Sequence, residues 1–382
     1  MSVNCRRGTS PASSTGSRRS RSRRSCASRK GWTYCRWICS RSRRTTSAVA
    51  SPTSSAPRSE RKSCPSSGGS SRRAARARPE AAPGGGAAPF SSTLLAPALR
   101  ANVLRMQDAL DALTDDVRST HPEQILIVTG AGVSHASGIP TFRGNDPDAI
   151  WKRDVTELGT RAFFSENPAG SWQWYLSRFD KVSGAKPNPG HHAIAALERF
   201  QTERGGDFLL VTQNVDTLHE QAGSKRMVKV HGTSDRYRCS RSGCELGALE
   251  GSIAASEVDL TAFRANPVEA NVPRCPSCGA FLRMHVLWFD EVYAGHDDYQ
   301  WSRVLDAAKV QARLVIFAGT SFSVGVTELV TQSARARRVP VFNIDPTPRI
   351  SKPGIMPIAA SAEVALVEVC KRLGVAEGAA WA

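Results

Sequence analysis

The stretch Ile125-Leu126-Ile127-Val128-Thr129-Gly130-Ala131-Gly132-Val133-Ser134-His135-Ala136-Ser137-Gly138-Ile139-Pro140-Thr141-Phe142-Arg143-Gly144 decides the fold. Its first four residues form a short, continuous apolar run, the pattern of a strand covered on both faces. Gly130-Ala131-Gly132 follows where such a strand hands over to a helix. Glycines there let the backbone approach a pyrophosphate and aim N–H groups at it. The fingerprint of a dehydrogenase is nevertheless incomplete. His135 stands in place of the third glycine, and no acidic residue closes a second strand about twenty residues later. Hydride transfer is therefore disfavoured.

Working outward, further strands are expected over 208–212, 227–230, 314–318 and 339–344, with helical patterns over 192–200 and 299–309. Upstream, Leu99, Val103, Met106, Leu110, Leu113 and Val117 recur at intervals of three and four, one apolar helical stripe. Apolar strands alternating with helices predict an α/β fold, a Rossmann-like, doubly wound parallel sheet. The rhythm breaks between two close pairs of cysteines, Cys239-x4-Cys244 and Cys275-x2-Cys278. That layout is a zinc ribbon, expected as a small insertion over 236–283. Four thiolates imply a closed, structural Zn2+ site with no place for a substrate. Cys370, alone in a late helical pattern, reads as a buried structural thiol.

Charge divides the chain. Residues 1–90 hold 20 Lys or Arg against only Glu60 and Glu80, a net +18, whereas the whole chain is +17. The high pI belongs to this tail and does not mark a nucleic-acid-binding domain; nucleic acid is expected to be held at most weakly, through the tail. Built from Arg, Ser, Ala, Pro and Gly, residues 1–90 lack the apolar periodicity that would offset the entropy of ordering. They are expected to be disordered, with a transit peptide or sequence upstream of the true start as alternatives. No membrane span is expected.

The sequence that continues from the glycine turn resembles the sirtuin signature, a GAG-(I/V)-S-x-x-x-G-(I/V)-P-x-F-R loop. Three more blocks follow in that family's order: Thr212-Gln213-Asn214-Val215-Asp216-Thr217-Leu218-His219, then Val230-His231-Gly232, then Ala318-Gly319-Thr320-Ser321, with Asn343 beyond them. The resemblance covers residues 98–375 and none of the tail. It implies an NAD-dependent protein-lysine deacylase that moves an acyl group from lysine to ADP-ribose and releases nicotinamide, with acylated proteins as substrates. NAD+ would be held by Gly130, Ala131, Gly132, Ser134, Gly138, Ile139, Pro140, Phe142, Arg143, Gln213, Gly319, Thr320, Ser321 and Asn343. Asn214 and Asp216, counted with His231 as catalytic, would flank the nicotinamide and its ribose. His231, at a strand end and with a pKa near neutrality, would be the general base that deprotonates a ribose hydroxyl.

Two segments bear on the substrate. His285-Val286-Leu287-Trp288-Phe289-Asp290-Glu291 resembles the family's peptide-binding stretch, whose backbone takes the substrate as an added strand; Val286, Trp288 and Phe289 are its expected contacts. Tyr175 and Arg178 lie three apart in a helical pattern and so share a face. In the sirtuin branch that removes succinyl, malonyl or glutaryl groups, a Tyr-x-x-Arg pair here binds the distal carboxylate, Arg by a charged fork and Tyr by its hydroxyl. Asp290 replaces the usual glycine and Met284 a usual proline, which leaves peptide preference open. Alternatives are ADP-ribosyl transfer or NAD hydrolysis on the same scaffold, or a non-catalytic binding module. A cytoplasmic location is expected, or a mitochondrial one if the tail is a transit peptide.

Overall fold

The computed structural model describes residues 97–141, 155–248, 251–348 and 353–375; Phe142 and Arg143 lie outside them. The chain enters through α1 (Pro97–Ser119), with Pro97 at the start and Arg118 in the last turn, both suited to their ends of a helix. β1 (Gln124–Thr129) follows, buried along its whole length. Next come α2 (Val155–Leu158), α3 (Arg161–Glu166), α4 (Pro168–Val182), α5 (Pro189–Glu203), β2 (Asp207–Thr212), α6 (Leu218–Gln221) and β3 (Met227–Lys229). β4 (Gly232–Cys239), β5 (Ile253–Ala254), α7 (Thr261–Ala265) and β6 (Leu282–Val286) form the cysteine-bearing part. The chain then closes the main sheet with α8 (Trp301–Asp306), β7 (Ala312–Ala318), α9 (Gly325–Arg337), β8 (Val341–Ile344), β9 (Met356–Ile358) and α10 (Ala362–Leu373).

The large sheet has the order β3-β2-β1-β7-β8-β9, and its paired strands run parallel. Alternate side chains of β1 serve two different cores. Ile125 and Ile127 pack with Leu110, Leu113 and Val117 of α1, Ile194 and Leu197 of α5 and Leu366 of α10. Leu126 and Val128 pack with Val304 of α8 and Val326 and Val330 of α9. This two-sided burial is why the strand sequences are apolar runs and do not alternate. The stripe of α1 seals only from Met106 onward, because Val103 is exposed.

Two expected elements are interrupted. The pattern over 299–309 is not one helix: Gln300 sits at φ 44°, α8 begins after it, and Ala307–Gln311 widens into a π turn. The last long strand pattern begins at Val341, not Val339, because Arg338 turns left-handed at the end of α9 and Pro340 has no N–H to donate. The second sheet, β5-β4-β6, is antiparallel and extends from 232 to 286, slightly beyond the expected 236–283. Its aromatic core joins α4: Trp172 lies 4.8 Å from Tyr237 and 5.9 Å from Phe263, and Trp172 Nε1 donates to Leu282 O at 2.7 Å.

Candidate active site

Strand register brings the sequence blocks together. Thr129 is level with Thr212 on one side and Ala318 on the other, so Gly130, Gln213 and Gly319 leave the sheet side by side at its carboxyl edge, where such sheets bind ligands. The two glycine loops interlock. Gly132 N donates to Gly319 O at 2.9 Å. A Cβ on Gly132 would sit 2.7 Å from Gly319 Cα, and one on Gly130 would sit 2.8 Å from Gly319 O. These glycines are thus required first by loop-on-loop contact, a reason the sequence alone does not disclose. Ala131 is half-buried between them; Gly138 ends a short turn at φ 82°, with Ile139 and Pro140 half-exposed after it.

The side chains form one network. Asn214 Nδ2 donates to Gly130 O and Ser134 Oγ, each at 3.1 Å. Ser134 Oγ donates to Asp216 Oδ2 at 2.9 Å, while Asp216 Oδ1 accepts from Leu218 N. Gln213 Nε2 bridges Thr129 O and Thr320 Oγ1. His231 lies two residues past β3, and its Nδ1 is 2.8 Å from Gln213 O. A carbonyl can only accept, so Nδ1 carries the hydrogen and Nε2 keeps its lone pair. Burial lowers the His231 pKa, partly offset by the bond to Gln213 O, so the imidazole is neutral at pH 7. That is the form a general base needs. Asn343, on β8, is buried with Oδ1 lacking a partner, an acceptor suited to a ribose hydroxyl. Ser321 is exposed and bonds Ser323; it stands apart from the network. A network of carbonyl, amide and carboxylate groups around a lone-pair nitrogen fits the hydroxyl-rich ribose of NAD.

The four cysteines also fit their ion. All four Sγ atoms lie within 4.8 Å of one another, with Cys239–Cys278 at 3.4 Å and Cys244–Cys275 at 3.7 Å. Tetrahedral zinc with Zn–S of about 2.3 Å sets S···S edges at about 3.8 Å. Cys239 ends β4, and Cys244, Cys275 and Cys278 lie in the loops between β4 and β6.

On the substrate side, expectation and structure differ. Trp288 is buried, not presented: it packs at a tilt against Phe164, ring centroids 5.3 Å apart, and lies beneath the Arg283 guanidinium. Val286 is also buried, and Phe289 is exposed. The N–H groups of Leu287, Trp288 and Phe289 are already bonded to His231 O, Glu291 Oε2 and Gly159 O, and the carbonyls of Val286 and Trp288 accept from Arg283 Nη2 and Glu291 N. Asp290, the unusual residue, accepts from Arg161 N at 2.8 Å and Ala162 N at 3.2 Å. It caps α3 and fastens the stretch to it. Tyr175 is buried among Trp174, Phe179 and Trp288, which pushes its hydroxyl well above the usual range and keeps it protonated. The Arg178 guanidinium lies 3.8 Å over Trp174 and donates to Trp174 O. Residues the sequence did not single out include Tyr293, whose ring is 18° from parallel to His231, and the buried Arg238–Glu291–Arg283 ion pairs. Tyr293 follows the peptide stretch, but no spacing rule marks it.

Comparison with known proteins gives one consistent result. The profile described as "Sir2 family" matches residues 130–326. A relative named NAD-dependent protein deacylase from Leptospira interrogans serovar Lai is 37% identical over 225 residues, 59% of this chain and 82% of its own. One of the same name from Thermus thermophilus is 36% identical over 232 residues, 60% and 82% of the two chains. The NAD-dependent protein deacylase sirtuin-5, mitochondrial, of Canis lupus familiaris is 34% identical over 241 residues, 60% and 76%. Among solved structures, a Sir2 homolog in complex with NAD superposes with a TM-score of 0.57 at 30% identity, covering 70% of this chain and 95% of the other.

Proposed function

The chain belongs to the Sir2 family, and from that membership we infer that it is an NAD-dependent protein-lysine deacylase which favours short acyl groups ending in a carboxylate. The observation that carries the enzymatic reading is the closed chain of bonds from the glycine turn through Asn214 and Gln213 to His231. Segments far apart in sequence meet around one basic nitrogen.

Bound NAD supplies a ribose C1′ that accepts the acyl oxygen as nicotinamide departs. The chain's own residues do the rest. Gln213 O fixes the ring of His231 so that Nε2 is the atom that can take a ribose hydroxyl proton. Asn214 and Asp216, tied through Ser134, give the pocket a fixed pattern of donor and acceptor. Excluding water from such a site favours acyl transfer over hydrolysis.

The acidic-acyl preference is supported by Tyr175 and Arg178 on one face of α4. Burial keeps the Tyr175 hydroxyl a donor, and Arg178 brings a fixed positive charge. Turnover of acetyl-, succinyl- and glutaryl-lysine peptides with NAD tests both levels of the reading. Acyl-ADP-ribose as product supports deacylation, and free ADP-ribose or modified protein would replace it with hydrolysis or ADP-ribosyl transfer. Arg178→Met should weaken desuccinylation at least about tenfold, in line with the loss of a charge-assisted pair, and change deacetylation little. Equal loss of both would refute the pocket.

A further inference from the structure

His231 has a neighbour that the reaction as described does not use. Its Nδ1–H is committed to Gln213 O, and Nε2 lies 3.5 Å from the Tyr293 hydroxyl. That hydroxyl is held from behind: Val326 N donates to it at 3.4 Å from the first turn of α9. The Tyr293 ring is fixed as well, stacked on Trp301 with centroids 4.3 Å apart and planes 10° apart. Gly325 passes beside the ring, where even a Cβ would lie at ordinary contact distance, 3.5 Å from Tyr293 Cε2. The direction of each bond follows. Val326 N–H fills one lone pair of the phenol oxygen, Nε2 offers a lone pair and no hydrogen, and so the phenol hydrogen is aimed at Nε2.

We propose that Tyr293 is a positioning residue for the general base, its hydroxyl donating to His231 Nε2 in the substrate-free enzyme and holding that nitrogen neutral at the place a ribose hydroxyl will occupy. The proposal deepens the deacylase reading and rests on it for the identity of the hydroxyl that follows. Nδ1 and Nε2 are then both specified from outside the ring, one by an acceptor and one by a donor, so a single tautomer and a single ring orientation remain. Protonating Nε2 would turn the phenol hydrogen away, and among the described residues no other acceptor takes it. Tyr293 therefore favours the unprotonated ring. Charged and titratable groups on the adjoining segments are engaged elsewhere: Asp216 with Ser134 and Leu218, Lys229 with Glu220, Thr233 and Asp216 O, His219 with Thr129, and Glu328 with Gln332. Burial lowers the His231 pKa and raises that of the Tyr293 phenol, which keeps its proton.

The test is an NMR titration of the full chain with 15N-labelled histidine, the His231 signal being assigned by its loss in His231→Asn. Tyr293→Phe removes one oxygen and keeps the ring between His231 and Trp301. The expected result is a His231 pKa raised by about half a unit to one unit, the size of one hydrogen bond made to one protonation state only, with an altered Nε2 shift at high pH. The acid limb of kcat/KM against pH should move up with it, while KM for NAD stays within about twofold. A His231 pKa that is unchanged or lower in Tyr293→Phe overturns the proposal. Tyr293→Leu, which also removes the ring, should raise the pKa in the same sense; a rise in it but not in the Phe variant would assign the effect to stacking and overturn the hydroxyl's role. The titration needs no turnover. If the wild-type chain released no acyl-ADP-ribose, the deacylase reading would fail while the Tyr293 result stood on its own.

Discussion

His231 is defined by two contacts, and each makes it vulnerable. Replacing it with Asn removes the basic nitrogen but leaves a side chain able to occupy the space. Turnover should fall by about 10²–10⁴, the range of general-base contributions, with zinc content unchanged by metal analysis. Gly319 carries a different constraint. Its φ is 59°, and a Cβ there would sit 2.4 Å from Val133 N. Gly319→Ala should therefore destabilise the chain by about 1–3 kcal/mol and raise KM for NAD, read by thermal melting and initial rates. At this scale the sequence was informative where chemistry demands a residue type. Asn214, Asp216 and His231 were legible because their blocks recur in order; Tyr293 was not, because an aromatic after a strand usually signals packing. The true reason for Gly130 and Gly132 was also hidden, since their contact, Gly319, is nearly 190 positions away.

Between elements, α4 is the joint. It carries Tyr175 and Arg178, and it is held to the cysteine-bearing sheet by Trp172 at one end and by a paired contact at the other, where Arg264 of α7 donates to both Asp180 oxygens at 2.7 and 2.8 Å. Both groups of that pair are about half exposed, so Arg264→Met should cost under about 1 kcal/mol of stability. Its larger effect should be on KM for succinyl-lysine peptides, several-fold up, because the helix loses one anchor. Stripping zinc with a chelator should release the amides of β4, β5 and β6 to hydrogen exchange while β1, β2 and β7 stay protected, since no cysteine ligand lies in the large sheet. A simultaneous loss of protection in both sheets would contradict this division. Five of the six strands of the large sheet were readable as apolar runs. The edge strand β9, three residues with Met356 and Pro357 exposed, was too short and too open to leave that pattern, and α9 was not marked out either. The break at Gln300 was also unreadable: it depends on a left-handed residue that no pattern of apolar positions announces.

Across the whole molecule, histidines kept neutral by burial set the acid limit. His191 is held down to about 4 and His285 to about 2, burial being the main cause in each, and His219 is lowered as well. An unfolded chain would protonate all three near the ordinary value of 6.5. Their contribution to stability is therefore complete above pH 6.5 and is lost as pH falls toward the folded values. The melting temperature should decline steadily from pH 7 to pH 4, with proton uptake on unfolding measurable by calorimetry in buffers of different ionisation enthalpy. One local arrangement reaches outward to the proteins this enzyme meets. The amides of Leu287, Trp288 and Phe289 are already tied to His231, Glu291 and Gly159, and the carbonyls of Val286 and Trp288 accept from Arg283 Nη2 and Glu291 N. A polypeptide laid along this edge would then meet chiefly the Leu287 carbonyl, an acceptor that asks for an N–H. A depsipeptide with an ester oxygen in place of the amide beside its modified lysine should dock poorly, whatever its side chains, and a matched pair of such ligands compared by calorimetry would reveal it.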